Sequence, residues 1–363
     1  MTFRTASVYI WIIVLLGGVE LALECRGHYR GWDAPLFRAA AISTKAVGEE
    51  KPARYGPTRE FPFRSEIVSR ERPADTSRLW VASASHAEDV RLSVEETFPG
   101  QAAHLLNRTS KRHWQVLNAS RSGNLIATNT ADLSRLGARW QPSVVVLYQM
   151  SIDIVDLSRQ YLGATKPSGK PSRQGDESGE AVPESALRKA AAETTTYTTL
   201  KANVTPWIAG QRVLADDLGD AAEHDFERRI RNFLHAVRES GALAVLTTFA
   251  TSHGKEEAGR LPLSVRQFML RYNRYLSPEG WVRSVARFNG IVRHIASEEG
   301  VVLVDCEQAM TSEVRYFRDY VHFTPAGHKK VAELLSEKLR GVPLDTGHPY
   351  SELLPEGRAG KNR

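Results

Sequence analysis

Five short apolar segments, separated by helical patterns, constrain the fold of this sequence most strongly. They are LWVAS (79–83), QVLNA (115–119), SVVVLYQ (143–149), LAVLTTF (243–249) and VVLVD (301–305). Their nearly continuous apolar character and β-branched residues are typical of strands covered on both faces. Between them, His224–Ser240 and Trp281–Glu299 have apolar residues at helical spacing, and each ends before a glycine. The alternation predicts one α/β domain over 79–341, with a five-stranded parallel sheet and helices on both sides.

The segments outside this alternation predict the rest of the domain organisation. Residues 27–78 lack periodicity and predict a juxtamembrane linker, which either stays extended or packs on the domain. Residues 161–215 are rich in Gly, Ser, Pro and charge, and predict a flexible insertion that is a spacer, a lid or a docking segment. TTTYTT at 194–199 within it fits an edge strand or a loop. Residues 342–363 are polar and predict a disordered tail.

The N-terminal residues 6–23 are almost wholly apolar. As a helix they extend about 27 Å, close to the roughly 30 Å of a bilayer core, so we expect a transmembrane anchor (residues 1–26). A cleaved signal peptide and a buried core helix are the alternatives. Arg26, Arg30 and Arg38 follow the span and only Arg4 precedes it, which favours a cytoplasmic C-terminus. A large domain can be translocated regardless, and we expect it outside the cytoplasm, with the topology open.

Composition excludes several other classes of protein. The net charge of +6 is spread along the chain without a run of basic residues, so we expect no nucleic-acid partner. The two cysteines, Cys25 and Cys306, are too few for a disulfide scaffold or a cysteine zinc site, and we expect both to be free thiols. No glycine-rich phosphate loop is present, so nucleotide binding has no support and we expect no cofactor.

The segment DYVHFTPAGH (319–328) carries the most informative chemistry. Thr324 is a good helix N-cap and Pro325 a good first helical residue, and Gly341 ends the predicted helix. Asp319 and His322 therefore lie in the loop that precedes this helix. A carboxylate in this position can fix the histidine tautomer and leave the other ring nitrogen free to act as a general base.

A serine at the end of the first predicted strand is a natural partner for this base, because ligands of parallel α/β sheets bind at the carboxyl ends of strands. Its own backbone N–H, with that of a glycine in the second strand-to-helix loop, can hold an oxyanion. The alternative is a surface Asp and His near the start of a helix.

The sequence resembles the SGNH (GDSL-like) hydrolase superfamily in the order of its blocks. SASHA (83–87) matches G-D-S-H-A, NASRSG (118–123) matches N-A-S-x-S-G of bacterial lysophospholipase and thioesterase members, and 319–328 matches D-x-x-H-x-T-x-x-G-H. The resemblance covers about 79–340 without the insertion and implies a three-layer, flavodoxin-like α/β fold. It also implies Ser85 as nucleophile, Asp319 and His322 as its partners, and an oxyanion hole formed by Ser85 and Gly123.

Two positions depart from the family pattern. Ser83 replaces the glycine of the first block. In the third block, QMSID (149–153), Ile152 replaces the asparagine whose amide serves as a third oxyanion donor. Loss of one such donor costs about 10²–10³ in rate. Gln149, Ser151 or a shifted loop are the candidates to substitute for it.

The remaining polar residues have simpler interpretations. We expect His86 to be a loop or substrate-rim residue rather than a catalytic base, and His328 to be structural or solvated. Asp153 is expected to hydrogen-bond a loop and Asp305 to cap a turn. The histidines with Asp319 lack metal-ligand spacing, so we expect no metal.

These features predict a membrane-anchored serine esterase or acyl hydrolase. The substrate is an ester or O-acetyl group on a lipid, a glycan or a small metabolite, and a sugar hydroxyl in place of water would make it a transacylase. The alternative is a non-catalytic SGNH-fold module that binds an acylated glycan or a membrane partner.

Overall fold

The structure, a computed structural model, describes residues 55–163 other than 59, residues 214–340, and residue 342. Near the N-terminus it also describes residues 18, 19, 21, 22 and 25. The chain divides into two units, residues 1–51 with 166–213 and residues 52–165 with 214–363. All strands and helices named below belong to the second unit.

The sheet has five parallel strands, as the sequence predicts. They are β1 (Thr76–Ser83), β2 (His113–Asn118), β3 (Val144–Tyr148), β4 (Leu243–Thr247) and β5 (Val302–Val304), in the order β2-β1-β3-β4-β5. Each neighbouring pair is parallel. The central strands β1 and β3 are buried along their whole length, which agrees with their continuous apolar sequences.

The helices lie in two layers. Among the described residues they are α1 (Ser85–Glu88), α2 (Phe98–Thr109), α3 (Ile126–Trp140), α4 (Ser151–Gly163), α5 (Asp220–Glu239), α6 (Leu263–Tyr272), α7 (Pro278–Glu298), α8 (Cys306–Met310) and α9 (Pro325–Arg340). Helices α2 and α9 pack on each other, and α5 packs on α3, α4 and α7. The chain runs from β1 to β2 in one direction and from β2 to β3 in the other. Right-handed crossovers therefore place α2 and α3 on opposite faces of the sheet.

The predicted helices are present with earlier starts. The helix predicted from His224 begins at Asp220, and the one predicted from Trp281 begins at Pro278. In the second case the hydroxyl of Ser277 accepts a hydrogen bond from the Gly280 N–H at 2.9 Å, so a cap sets the start.

The described part of the predicted linker packs against the sheet domain. Phe63 is buried and makes edge-to-face contacts with Trp80 and Trp140, at centroid distances of 5.0 and 5.2 Å. Phe61 is buried beside it. These rings extend the hydrophobic core beyond the first strand, so residues 55–75 form part of the folded unit.

Arg78, in the middle of β1, is fully buried without a carboxylate partner. Its five N–H groups donate to Gln115 Oε1 and to four backbone carbonyl oxygens. Those carbonyls belong to Ser69, Arg70, Glu71 and Trp140. This side chain ties residues 69–71 to β1, and it explains why β1 begins at Thr76, before the predicted apolar segment.

Three predicted segments lie wholly or mostly outside the described residues: the span 6–23, the insertion 161–215 and the tail 342–363. Within the described part of the chain, no helix has both the length and the apolar character needed to cross a bilayer.

Candidate active site

The candidate site lies at the carboxyl ends of β1 and β3. The chain leaves β1 toward β2 on one side and returns to β3 on the other, and such a reversal of strand order is where ligands of parallel sheets commonly bind. Ser85 follows β1 after one intervening residue and begins α1, where it is half-buried. Asp319 and His322 lie in the loop that leads into α9.

The structure brings Ser85, His322 and Asp319 into one hydrogen-bonded chain. Ser85 Oγ lies 2.9 Å from His322 Nε2, and His322 Nδ1 lies 2.8 Å from Asp319 Oδ2. The carboxylate accepts from Nδ1, so the ring proton stays on that nitrogen and Nε2 is free to accept the serine proton. This is the arrangement that a nucleophilic serine requires.

Asp319 is fixed by its own loop as well as by the imidazole. Its Oδ1 accepts hydrogen bonds from the N–H groups of Val321 and His322, at 3.0 and 2.8 Å. Burial opposes ionisation, but the hydrogen bonds from the His322 ring and backbone outweigh it and hold the pKa of this carboxyl below its usual value. A carboxylate is therefore maintained beside Nδ1.

The loop after His322 is closed by a helix cap and a close backbone approach. Thr324 Oγ1 accepts from the Gly327 N–H at 3.2 Å, as expected of the predicted N-cap. A Cβ atom on Gly327 would lie 2.2 Å from the carbonyl oxygen of Tyr316, so this position requires glycine. The carbonyl oxygen of His322 accepts from the Arg318 N–H at 2.8 Å. These contacts fix the backbone on both sides of the imidazole.

Ser83, the other serine at the end of β1, is not placed to attack a substrate. It is fully buried, and its hydroxyl donates to the backbone carbonyl of Tyr148 on the neighbouring strand β3. Its role is to join the two strands.

Gly123 lies in the exposed loop between β2 and α3, with a φ of +85° that favours glycine. Two contacts join this loop to α1: Asn118 Nδ2 donates to the Ala87 carbonyl at 2.9 Å, and the Ser122 N–H donates to Glu88 Oε2 at 2.7 Å. Among the described residues the Gly123 N–H has no acceptor. It therefore remains available to a ligand.

The third block supports the neighbouring loop instead of presenting an amide. Asp153 is fully buried, and its carboxylate accepts from the Ile126 N–H, from Gln149 Nε2 at 3.0 Å and from Arg229 at 2.9 Å. Gln149 Nε2 also donates to the Asn124 carbonyl at 2.8 Å. Asp153 thus lies in α4 and accepts from the first residue of α3, from α5 and from the Gln149 side chain, rather than from the backbone of a loop as expected. Burial raises its pKa to about 6, against the hydrogen bonds from Gln149 and Arg229.

The prediction that His86 is a loop or rim residue is wrong. His86 is 1% exposed, because it points inward from α1 onto Tyr148 of β3 and Phe249, which follows β4. Its ring stacks on His322 at 5.4 Å and contacts Phe249 edge-to-face at 4.9 Å. Burial, and then the neighbouring His322, lower its pKa to about 3. His86 is therefore neutral.

Asp89 is a site residue that the sequence analysis missed. The Phe98 N–H donates to His328 Nδ1 at 3.1 Å, so the ring proton is on Nε2, which donates to Asp89 Oδ2 at 3.2 Å. Arg318 donates to the same oxygen at 3.0 Å. Asp89 directly follows α1 and Arg318 directly precedes Asp319, so the contact links α1 to the loop that contains Asp319 and His322. In the sequence, the signal for this contact is that Asp89 is a carboxylate close to the first block, SASHA (83–87). His328 is buried and structural.

The other singled-out residues have structural roles. Asp305 caps α8 by accepting from the Gln308 N–H at 3.1 Å, as expected. Cys25 and Cys306 are free thiols. Within the described residues, no group of three or more His, Cys, Asp or Glu side chains is placed to hold a metal ion.

Comparisons with known proteins return structures of esterases and hydrolases. No protein-family model matches the sequence, and no curated protein matches it. The acetylxylan esterase Axe2 from Geobacillus stearothermophilus is 15% identical, over 74% of this chain and 95% of its own, with a TM-score of 0.43. LAE5, an α/β hydrolase from the metagenome of Lake Arreo, Spain, is 13% identical over 72% and 94%, with a TM-score of 0.43. The acetyl xylan esterase AlAXEase is 13% identical over 72% and 98%, with a TM-score of 0.41. Identities of 13–15% and TM-scores of 0.41–0.43 are too low to assign a role to any residue of this chain. The role of each residue therefore rests on the geometry described above.

Proposed function

We propose that this protein is a serine esterase or acyl hydrolase of the SGNH type. The observation that carries the proposal is the hydrogen-bonded chain from Ser85 Oγ through His322 to Asp319, with both contacts shorter than 3.0 Å. The nucleophile is half-buried at the carboxyl edge of the sheet, within reach of a substrate, whereas Ser83 is fully buried.

Each member of the chain has one task. Ser85 attacks the ester carbonyl while His322 Nε2 takes its proton and then returns it to the leaving alcohol. Asp319 holds the tautomer and stabilises the imidazolium that forms. Water, activated by the same nitrogen, cleaves the acyl-enzyme and releases the acid. The N–H groups of Ser85 and Gly123 stabilise the oxyanion of each tetrahedral intermediate.

The substrate is an ester or O-acetyl group on a lipid, a glycan or a small metabolite. Residues 6–23 anchor the enzyme to a membrane with the hydrolase domain outside the cytoplasm, and neither a nucleic acid nor a cofactor takes part. Transfer to a sugar hydroxyl instead of water would use the same acyl-enzyme. Sedimentation of the full chain with membranes, compared with a variant lacking residues 1–26, tests the anchor: equal sedimentation of both contradicts it.

Labelling with a fluorophosphonate probe tests the nucleophile. The probe is expected to label the full chain and to fail on Ser85→Ala and His322→Ala. Ser83→Ala is the matched control and is expected to retain labelling.

A non-catalytic binding module is the second candidate, and Ile152 favours it. This side chain, half-buried in the first turn of α4, offers no hydrogen bond to an oxyanion. A folded chain that neither labels nor hydrolyses esters would favour this alternative over the esterase.

A further inference from the structure

In the proposed esterase, the nucleophile and its base come from distant parts of the chain. Ser85 begins α1, which has only four residues, and His322 lies 237 residues further along, in the loop 319–324 that precedes α9 (the base loop). A general base must lie within about 2.6–3.2 Å of the group whose proton it takes, so a small shift of either element breaks the contact. The spacing of the two residues therefore depends on what connects α1 to the base loop.

Asp89 makes this connection through one carboxylate oxygen. Its Oδ2 accepts hydrogen bonds from Arg318 Nη2 at 3.0 Å and from His328 Nε2 at 3.2 Å. Arg318 directly precedes the base loop, and His328 lies in the first turn of α9, directly after it. The chain on both sides of the base loop is thus held at the same atom.

Backbone hydrogen bonds extend the connection to the two reacting residues. The Asp89 N–H donates to the carbonyl oxygen of Ser85 at 3.1 Å, and the Arg318 N–H donates to that of His322 at 2.8 Å. Each partner of the Asp89–Arg318 ion pair is therefore bonded through its backbone to one of the two residues that share the proton. The path from Ser85 to His322 consists of three hydrogen bonds, and the ion pair is the middle one.

Asp89 itself is held in a fixed position. It is 5% exposed and has a φ of +21°, which non-glycine residues rarely adopt and which persists where the surrounding contacts impose it. Burial opposes its ionisation, but the hydrogen bond from His328 and the charge of Arg318 outweigh it and hold the pKa of this carboxyl well below its usual value. Asp89 is therefore an ionised carboxylate with a constrained backbone.

Arg91 provides a comparison within the same cluster, because it contacts this carboxylate from another direction. Its Nε lies 3.3 Å from Asp89 Oδ1, and its side chain is 35% exposed, against 26% for Arg318. Among the described residues, no hydrogen bond joins Arg91 to the base loop. The two arginines bring the same charge to the same group, and only Arg318 is bonded to His322.

We propose that Asp89 and Arg318 are positioning residues whose ion pair sets the distance between Ser85 Oγ and His322 Nε2. The pair holds the base loop against α1, so that Nε2 stays within hydrogen-bond reach of the hydroxyl during the reaction. Both residues act through the backbone of Ser85 and His322, and neither takes part in proton transfer. The inference rests on the proposed esterase function.

Hydrolysis of p-nitrophenyl acetate by the full chain tests the proposal. Arg318→Met removes the ion pair but keeps the backbone N–H that bonds to His322 and the contact between Asp89 and His328. It is expected to lower kcat about tenfold or more, with KM changed less than about threefold, because a misplaced base slows proton transfer without altering binding. The rate of fluorophosphonate labelling should fall as well, since attack by Ser85 needs the same proton transfer.

Arg91→Met is the matched control. It removes an arginine from the same carboxylate and is expected to leave kcat within a factor of about three. Urea denaturation gives the folded fraction of each variant, to which kcat is referred, because a purely structural role would lower stability and leave the kcat of the folded protein unchanged. A folded Arg318→Met with wild-type kcat overturns the proposal, as does an Arg91→Met that is equally slow.

A double-mutant cycle keeps the test decisive if Arg318→Met does not fold. Arg318→Lys keeps a positive charge without the planar guanidinium, and Asp89→Asn keeps an oxygen acceptor without the charge. Each single variant is expected to lower kcat about three- to tenfold, and the double variant to lose less than the product of the two losses, because both changes weaken one contact. Wild-type kcat in both single variants, or losses that multiply in the double variant, would overturn the proposal.

The wild-type chain separates failure of this inference from failure of the proposed function. A wild-type chain that neither labels with the fluorophosphonate nor hydrolyses the ester refutes the esterase, and the inference with it. A wild-type chain that does both, together with an unimpaired Arg318→Met, refutes only the positioning role of the ion pair.

Discussion

Replacement of Asp319 by asparagine tests the triad with minimal change of shape. The two oxygens of Asp319 have separate tasks: Oδ1 accepts from the N–H groups of Val321 and His322, and Oδ2 accepts from His322 Nδ1. An asparagine oriented with its oxygen at the Oδ1 position keeps both backbone contacts. Its amide N–H then faces Nδ1 and donates to it. The ring proton must move to Nε2, which can no longer accept from Ser85.

The expected loss is kinetic and large, whereas the loss of stability is small. A histidine held in the wrong tautomer lowers kcat by about 10⁴, which corresponds to about 5.5 kcal/mol of transition-state stabilisation. Because the backbone contacts persist, the free energy of unfolding at neutral pH should fall by less than about 1 kcal/mol. Asp319→Ala loses the two backbone contacts as well and should be less stable by about 2–3 kcal/mol.

The pH dependence of stability gives an independent check. The folded-state pKa of Asp319 lies below its usual value, so its stabilisation is present at neutral pH and is lost as the pH falls through the folded-state pKa. Asp319→Asn should lack this acid-side loss. Single-turnover acylation and urea denaturation at pH 7 and pH 3 measure the two effects. A folded Asp319→Asn that keeps more than about a tenth of wild-type kcat would refute the tautomer argument.

Two further predictions concern buried charged side chains. Arg78→Met should lower the free energy of unfolding, measured by urea denaturation, by about 3 kcal/mol or more, because the buried carbonyls lose their charged donors. Arg78→Lys should be intermediate, and a change below about 1 kcal/mol for Arg78→Met would contradict the prediction. Burial raises the pKa of Asp153 from 3.8 to about 6, so its contribution to stability is full below pH 3.8 and is lost as the pH rises through 6. Wild type should therefore lose more stability than Asp153→Asn between pH 3.5 and 7.5, and equal pH profiles would refute the shift.

The sheet could be predicted because its strands are buried on both faces. All five apolar segments correspond to strands, and β3 and β4 begin within one residue of their predicted starts. The beginning of β1 could not be predicted in this way. Thr76, Ser77 and Arg78 are polar, and the burial of Arg78 depends on acceptors from residues 69–71 and 140, which are not visible in a local pattern.

The positions of Ser85, Asp319 and His322 could be predicted because strand ends and a helix cap are local signals. The predicted helix start at Pro325 is confirmed, so the loop with Asp319 and His322 lies where the capping residues place it. His86 was predicted wrongly for the opposite reason. Whether a residue of a short helix points inward depends on which side faces β3 and β4, and a four-residue helix has no periodicity to reveal it.

The third block shows why a missing residue in a motif does not by itself decide activity. Asp153 accepts from the N–H of Ile126, the first residue of α3, and Gln149 holds the carbonyl of Asn124, the residue after Gly123. The block therefore positions the loop that carries the Gly123 amide. Ile152 has no hydrogen-bond donor on its side chain, and the contacts of Asp153 and Gln149 that position this loop do not involve it.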